Sequence, residues 1–248
     1  MKSFDDLWRL ADELADVIPI FTLTEIERRE IVSHMRLRRF REGEIVYHQG
    51  DPGHDLFVVH GGLVMSLRED GEGRRLLLSF SGRGQFFGDL ELFTGDEGRM
   101  TTVTAVKETT TLQIPQAQAA AVLEANPKAM LYMGRRTYEL SRRYLDLASD
   151  LVFMDAERRV VLVLLELEAL RDRSSLSMTQ DEIGAAAGVS DRTVRRVVAD
   201  LAKRGAVRST ASGVIVIDES ALRKIGAPAG RKALRLGDVV LADSLPSN

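Results

Sequence analysis

The stretch Thr179-Gln-Asp-Glu-Ile-Gly-Ala-Ala-Ala-Gly-Val-Ser-Asp-Arg-Thr-Val-Arg-Arg-Val-Val-Ala199 constrains this chain more than any other. It reads as two short helices joined by a tight turn. Thr179 and Glu182 have the T-x-x-E spacing of a capping box, which predicts a helix start. Ile183, Ala186 and Ala187 give that helix a small apolar inner face, and Gly184 lets another helix come close. Gly188 supplies the backbone freedom to leave it. Ser190 is an N-cap for the second helix. Val194, Val197, Val198 and Leu201 follow at offsets of three, four and seven, a buried stripe. Arg192, Arg195 and Arg196 lie on the opposite face, where long donors reach base edges and phosphates. The pattern is a helix-turn-helix. It predicts double-stranded DNA as a partner, with Thr179, Gln180, Ser190, Asp191, Arg192, Thr193, Arg195 and Arg196 at the contact. A plain helical hairpin with a solvated basic face is the alternative.

Charge supports a division of labour. Residues 1–126 hold 14 Lys/Arg against 21 Asp/Glu, whereas residues 156–210 hold 10 against 8. DNA phosphates repel the first region, so the nucleic-acid module belongs to the second. With 248 residues there is room for one or two domains. The absence of cysteine excludes disulfides, thiolate nucleophiles and an iron–sulfur cluster. No nucleophile–base pair, metal-ligand cluster or P-loop is present, so neither an enzyme nor a metal site is expected. The acidic N-terminus does not resemble a signal peptide, and the longest apolar run, Val160 to Leu165, is too short to span a bilayer. A cytoplasmic protein without membrane contact is the expectation.

Along the chain, residues 1–39 read as helical: Phe4, Leu7, Trp8 and Ala11 share one face, extended by Leu14 and Ala15. Thr24 and Glu27 form a second capping box. From Phe40 to Ile114 short strands alternate with glycine turns: Ile45–Tyr47, Leu56–Val59, Leu63–Leu67, Leu76–Phe80 and Val103–Val106. Such spacing predicts an antiparallel sandwich or barrel. Asn126 to Asp155 reads as one helix, with Asn126 as cap and Pro127 in the first turn. Along it Met133, Thr137, Leu140, Tyr144, Leu147, Leu151 and Met154 recur at alternating spacings of four and three, the seam of a parallel homodimer. Packing of that face against the chain's own sheet is the alternative. Residues 156–171 form another helix. After the helix-turn-helix, Ala206–Arg208 and Val214–Ile217 flank a turn and form a wing. The resulting domains are 1–126, 127–155, 156–226 and an unassigned extension, 227–248, in which Leu234, Leu236, Val239, Val240 and Leu241 are apolar. The fold class is α+β: an N-terminal antiparallel β-roll (jelly-roll-like), a long coiled-coil helix and a C-terminal winged helix-turn-helix.

This order resembles the CRP/FNR family of bacterial transcription regulators over about residues 20–220. Phe40 to Val64 resembles the opening of a cyclic-nucleotide-binding domain. Gly84-Gln-Phe-Phe-Gly-Asp-Leu-Glu-Leu-Phe93, followed by Arg99, resembles its phosphate cassette. Asp150 to Asp155 is similar to the hinge that ends the dimer helix, and Thr179 to Ala199 to the family's helix-turn-helix. The resemblance implies a homodimer reading a pseudo-palindromic operator, control through the β-roll, and RNA polymerase as a partner. It further implies an effector pocket at Gly88, Asp89, Leu90, Arg99, Met100, Thr101, Tyr144 and Leu145. There a glycine admits backbone donors, an acid accepts a ribose hydroxyl and an arginine pairs with phosphate.

The departures leave the effector open. Asp89 replaces the usual glutamate of cyclic-AMP binders, and Met100 stands where a small hydroxyl residue usually follows the arginine. Tyr144 and Leu145 replace two hydroxyl residues that touch adenine. Each lost hydrogen bond costs about 1 kcal/mol. Cyclic AMP or cyclic GMP stands beside an unfilled or differently filled pocket. Some family members sense gases through haem, but no spacing among His34, His48, His54 and His60 is diagnostic of haem ligation, and solvated or structural histidines are the expectation. On the DNA side Asp191 and Arg192 follow Ser190, where the family's best-known member has arginine and then glutamate, and Arg196 keeps the third reading position. Asp prefers a cytosine amino group and Arg prefers guanine, so a different half-site is expected.

Overall fold

The structure is a computed structural model that describes residues 3–14, 23–53, 55–72, 75–93, 98–171, 178–211 and 213–226. The C-terminal extension and its apolar residues, Ala15 and His54 lie outside the described residues. One compact unit comprises residues 1–69 and 78–140, the other 70–77 and 141–248. Among the described residues no helix is long and apolar enough to cross a membrane.

In the first unit, α1 (Phe4–Asp12) and α2 (Glu25–His34) each begin with a closed capping box, Ser3 with Asp6 and Thr24 with Glu27. Residues 36–39, expected to continue as helix, are instead strand β1 (Arg36–Phe40). Its sequence, Arg-Leu-Arg-Arg-Phe, buries only Phe40 and carries no clean alternation. Pairing with β8 (Thr109–Ile114) fixes its conformation, a tertiary contact overriding a weak local preference. Between them lie β2 (Ile45–Tyr47), β3 (Leu56–Gly61), β4 (Leu63–Glu69), β5 (Arg75–Gly82), β6 (Phe86–Phe87) and β7 (Thr102–Ala105). Two four-stranded sheets result, in the orders β1-β8-β3-β6 and β2-β7-β4-β5. This is the jelly-roll-like β-roll.

Strand periodicity sorts the core into two layers. Leu56, Val58 and Phe86 join the cluster under the helices, together with Ile31, Val32, Leu112 and Ile114. Their neighbours Phe57, Val59 and Phe87 face the other way, packing with Tyr47, Val64 and Val103. Helix α3 (Gln116–Ala125) has Pro115 as N-cap with no side-chain capping bond. Helix α4 (Pro127–Phe153) follows, with Asn126 Oδ1 accepting from the Lys128 and Ala129 N–H groups at 3.1 Å each.

The second unit holds α5 (Ala156–Arg171), α6 (Gln180–Ala187), α7 (Asp191–Lys203), strands β9 (Val207–Thr210) and β10 (Gly213–Val216), and α8 (Glu219–Gly226). Asp155 caps α5 by accepting from the Arg158 N–H at 2.9 Å. The wing is an antiparallel pair, and an isolated bridge ties Val214 back to Met178, before α6. Leu222 of α8 is fully buried, and a side chain at Gly226 would run into Val161 of α5, so α8 closes the α5 face.

Candidate nucleic-acid interface and effector pocket

Thr179 caps α6, accepting from the Glu182 N–H at 3.2 Å, while Glu182 Oε2 accepts from the Thr179 N–H at 2.7 Å. Gly188 ends α6 at φ 60° and ψ 42°, and a Cβ there would sit 2.7 Å from Leu151. Both the left-handed backbone and the close packing require glycine. Ser190 caps α7: its Oγ accepts from the Thr193 N–H and lies 3.0 Å from the Thr193 hydroxyl. Val194, Val197, Val198 and Leu201 are buried on one side of α7. Asp191, Arg192, Arg195 and Arg196 are exposed on the rest of it. No ion pair engages the three arginines among the described residues. Thr179 and Gln180 line a shallow cleft with Ser209, Thr210 and Val214 of the wing. A capped helix start, an exposed guanidinium face and a wing together present donors to a phosphate backbone and a groove.

Arg159 was not singled out by the sequence. Its guanidinium donates to the carbonyls of Met154 at 2.8 Å and Ala187 at 2.9 Å, and approaches those of Leu151 at 3.4 Å and Gly188 at 3.5 Å. One cation thus neutralises the C-terminal ends of two helices, α4 and α6, where helix dipoles favour positive charge. It ties the end of α4 to the end of α6.

In the β-roll, Gly88 has φ 74°, and a Cβ there would lie 2.8 Å from both Arg99 Nη1 and the Asp55 carbonyl oxygen. Glycine is needed so that the arginine can approach the backbone. Arg99, only 5% exposed, donates from Nη2 to the Asp55 carbonyl at 3.0 Å and stacks 4.3 Å above the Tyr47 ring. Its Nη1 faces Glu91 Oε2 at 3.5 Å, and Glu91, 2% exposed, accepts through Oε1 from the Met100 N–H at 2.8 Å. Asp89 pairs with Arg136 of α4 at 3.2 Å, and Arg136 also donates to the Phe86 carbonyl at 2.7 Å. The Asp55 carboxylate takes a bond from Gln113. Burial pushes the Tyr47 hydroxyl well above its ordinary pKa, with Arg99 opposing, so the phenol stays neutral.

Of the expected pocket residues, Gly88, Asp89, Arg99 and Thr101 come together as buried neighbours, Leu90 is half-buried and Met100 turns outward. Tyr144 and Leu145 lie on the part of α4 that belongs to the second unit. Sequence reasoning missed Glu91 and Arg136. A second acid two residues after Asp89, flanked by Leu90 and Leu92, was the available signal for Glu91; nothing local pairs Arg136 with an acid 47 positions earlier. His60 is occupied by Glu13 at 2.8 Å, and His34 Nδ1 lies 2.9 Å from the Glu30 carbonyl.

On α4, Met133 is 1% exposed within the first unit's own core. The first unit's own core therefore already covers this member of the expected seam. Thr137, Leu140, Tyr144, Leu147, Leu151 and Met154 are half-buried. Leu131, Tyr138, Leu145 and Val152, each seven residues apart, are exposed, as are Gly134, Ser141 and Ala148 between them.

Comparisons with known proteins agree with this architecture. The cyclic nucleotide-binding domain matches residues 37–126, and the Crp-like helix-turn-helix domain matches residues 158–225. The cAMP-activated global transcriptional regulator CRP of Haemophilus influenzae is 26% identical over 226 residues, covering 84% of this chain and 98% of that one. A CRP-like cAMP-activated global transcriptional regulator of Mycobacterium tuberculosis is 29% identical over 193 residues, 75% of this chain and 85% of its own. Among solved structures, the c-di-GMP responsive global regulator CLP of Xanthomonas campestris has a TM-score of 0.69 at 22% identity, over 79% of this chain and all of that one. FixK2 of Bradyrhizobium japonicum has a TM-score of 0.66 at 22% identity, over 79% of this chain and 98% of its own. These structural likenesses speak to fold. Both domain matches fall in order on one chain, the relatives are matched over most of their length, and the β-roll precedes a winged helix-turn-helix. This protein therefore belongs to the CRP/FNR family of DNA-binding transcription regulators.

Proposed function

We propose that the regulator works in the cytoplasm as a homodimer that reads a pseudo-palindromic operator with two α7 helices. The observation that carries this is the open stripe on α4. A dimer seam must be apolar and uncovered, and Leu131, Tyr138, Leu145 and Val152 meet both conditions at a seven-residue repeat. Gly134, Ser141 and Ala148 alternate with them, so small residues face large ones across the pair. Thr137, Tyr144 and Leu151, each one position before a stripe residue, flank this seam. The paired seam is thus displaced by one position from the one read off the sequence, a rotation of about 100° around the helix.

Two α7 helices presented by a symmetric dimer reach successive major grooves about 34 Å apart. Asp191, Arg192 and Arg196 read bases, Arg195 contacts phosphate, and Thr179, Gln180 and the wing hold the flanking backbone. A shift of α4 near Asp155 passes to α6 through Arg159, which grips both helix ends. RNA polymerase is the further macromolecular partner that this reading implies.

The test is selection of bound duplexes from a random library at moderate salt, followed by sedimentation of the protein alone. The expected outcome is an enriched inverted repeat with half-sites one helical turn apart and a dimer that Leu145→Arg dissociates. An unstructured consensus, or a monomer, overturns the reading.

A further inference from the structure

We infer that Glu91 is an internal stand-in for an effector's anion: it occupies the donors of the β-roll pocket and makes that pocket refuse cyclic nucleotides. This rests on the β-roll being the regulatory domain and goes beyond it by naming what the pocket excludes and which residue excludes it. A phosphodiester held at Arg99 needs a guanidinium edge and nearby backbone N–H groups. The Glu91 carboxylate already takes both, Arg99 Nη1 at 3.5 Å through one oxygen and the Met100 N–H at 2.8 Å through the other. The second amino group of Arg99 is spent on the Asp55 carbonyl at 3.0 Å. The acid that would accept a ribose hydroxyl is spent as well, since Asp89 lies 3.2 Å from Arg136.

Charge makes this occupancy hard to displace. Glu91 and Arg99 are both nearly inaccessible, at 2% and 5% exposure, so solvent screens them little. An incoming phosphate would bring a second negative charge within about 4 Å of the carboxylate. At the effective dielectric of such a site that is disfavoured by on the order of a hundredfold or more. Rotating Glu91 away would bury an unpaired carboxylate, which is no cheaper. Removing the carboxylate turns the same geometry around: Arg99 and the Met100 N–H become an anion site lacking its anion.

The experiment is titration of the purified full-length protein with a fluorescent cyclic AMP analogue, repeated for Glu91→Ala, Glu91→Gln and Glu91→Ala/Arg99→Ala. Wild type should show no saturable binding up to millimolar nucleotide. Glu91→Ala and Glu91→Gln should bind at least a hundredfold tighter, and the double variant should lose that gain. A merely structural Glu91 would lower the melting temperature without creating nucleotide binding that depends on Arg99. Micromolar binding by wild type, or two folded variants that gain nothing, overturns the inference. Operator binding is measured on the same wild-type sample without nucleotide, so failure of the DNA-binding reading is seen separately.

Discussion

Two groups of arginines in this protein have opposite fates. Arg192, Arg195 and Arg196 stand exposed on α7, and no ion pair engages them among the described residues. In the β-roll unit Arg99 is buried and Arg136 partly so, and they are matched by Glu91, Asp89 and backbone carbonyls. The first group has its donors available to a polyanion and loses only water and counterions on meeting it. The second has already exchanged water for protein partners, and a ligand has to compete with carboxylates of the same chain. The contrast teaches that a residue type at a family position does not fix its role. What decides is whether another group of the chain has reached it first.

The largest effect that should test this contrast is on stability. Arg99→Ala removes one partner of a buried pair and leaves Glu91 uncompensated, so unfolding free energy should fall by about 3–5 kcal/mol in denaturant melts. Adding Glu91→Ala to it should recover part of that loss, because the orphaned charge goes too. A loss under 1 kcal/mol would mean that Arg99 is not engaged as described. On α7, Arg196→Ala should cost about 1–3 kcal/mol of operator affinity and relax base preference at its position, while the melting temperature hardly moves. Arg195→Ala should weaken all duplexes alike and lower the salt slope by about one.

Smaller effects come from the caps. Thr179→Ala should destabilise the second unit by about 1 kcal/mol, since the α6 capping box loses the hydroxyl that accepts from Glu182. In α2, bonds from the Thr24 hydroxyl and backbone hold the Glu27 carboxyl below its ordinary pKa. A depressed carboxyl stabilises above its unfolded pKa, and that contribution is lost as pH falls through the folded value. A carboxylate titration by NMR should show the low value in wild type and a rise toward the ordinary range in Thr24→Ala, which keeps only the backbone bond.

Much of the output end was readable in the chain. The α6 capping box, Gly188, Ser190 and the valine stripe are local signals, and each side chain acts within a turn or two of its position. Helix α5 was equally plain. The strands β2, β3, β4, β5 and β7 showed through their apolar runs and glycine turns. Strand β1 did not, because its arginines mask any alternation, and β8, Thr-Thr-Thr-Leu-Gln-Ile, lacks an apolar run although Thr109 and Thr111 are fully buried. Helix α3 carries no capping side chain to announce it. On α4 a 3.5-residue repeat reveals a face but not what covers it. Met133 shows the difference, since its burial in the core cluster that also holds Leu112 has nothing to do with the repeat. The pairs in the pocket were hidden for a similar reason: Asp89 meets Arg136 across 47 residues, and Arg99 draws its partners from Asp55, 44 residues earlier, and Glu91.

The central claim is that DNA recognition is open at one end of the chain while the β-roll pocket is closed by the chain itself. Fluorescence anisotropy of the selected operator duplex, titrated with wild-type protein with and without millimolar cyclic AMP, tests it most directly. The account predicts tight, salt-dependent binding with the same affinity in both titrations. A rise in affinity of tenfold or more on adding cyclic AMP would contradict it.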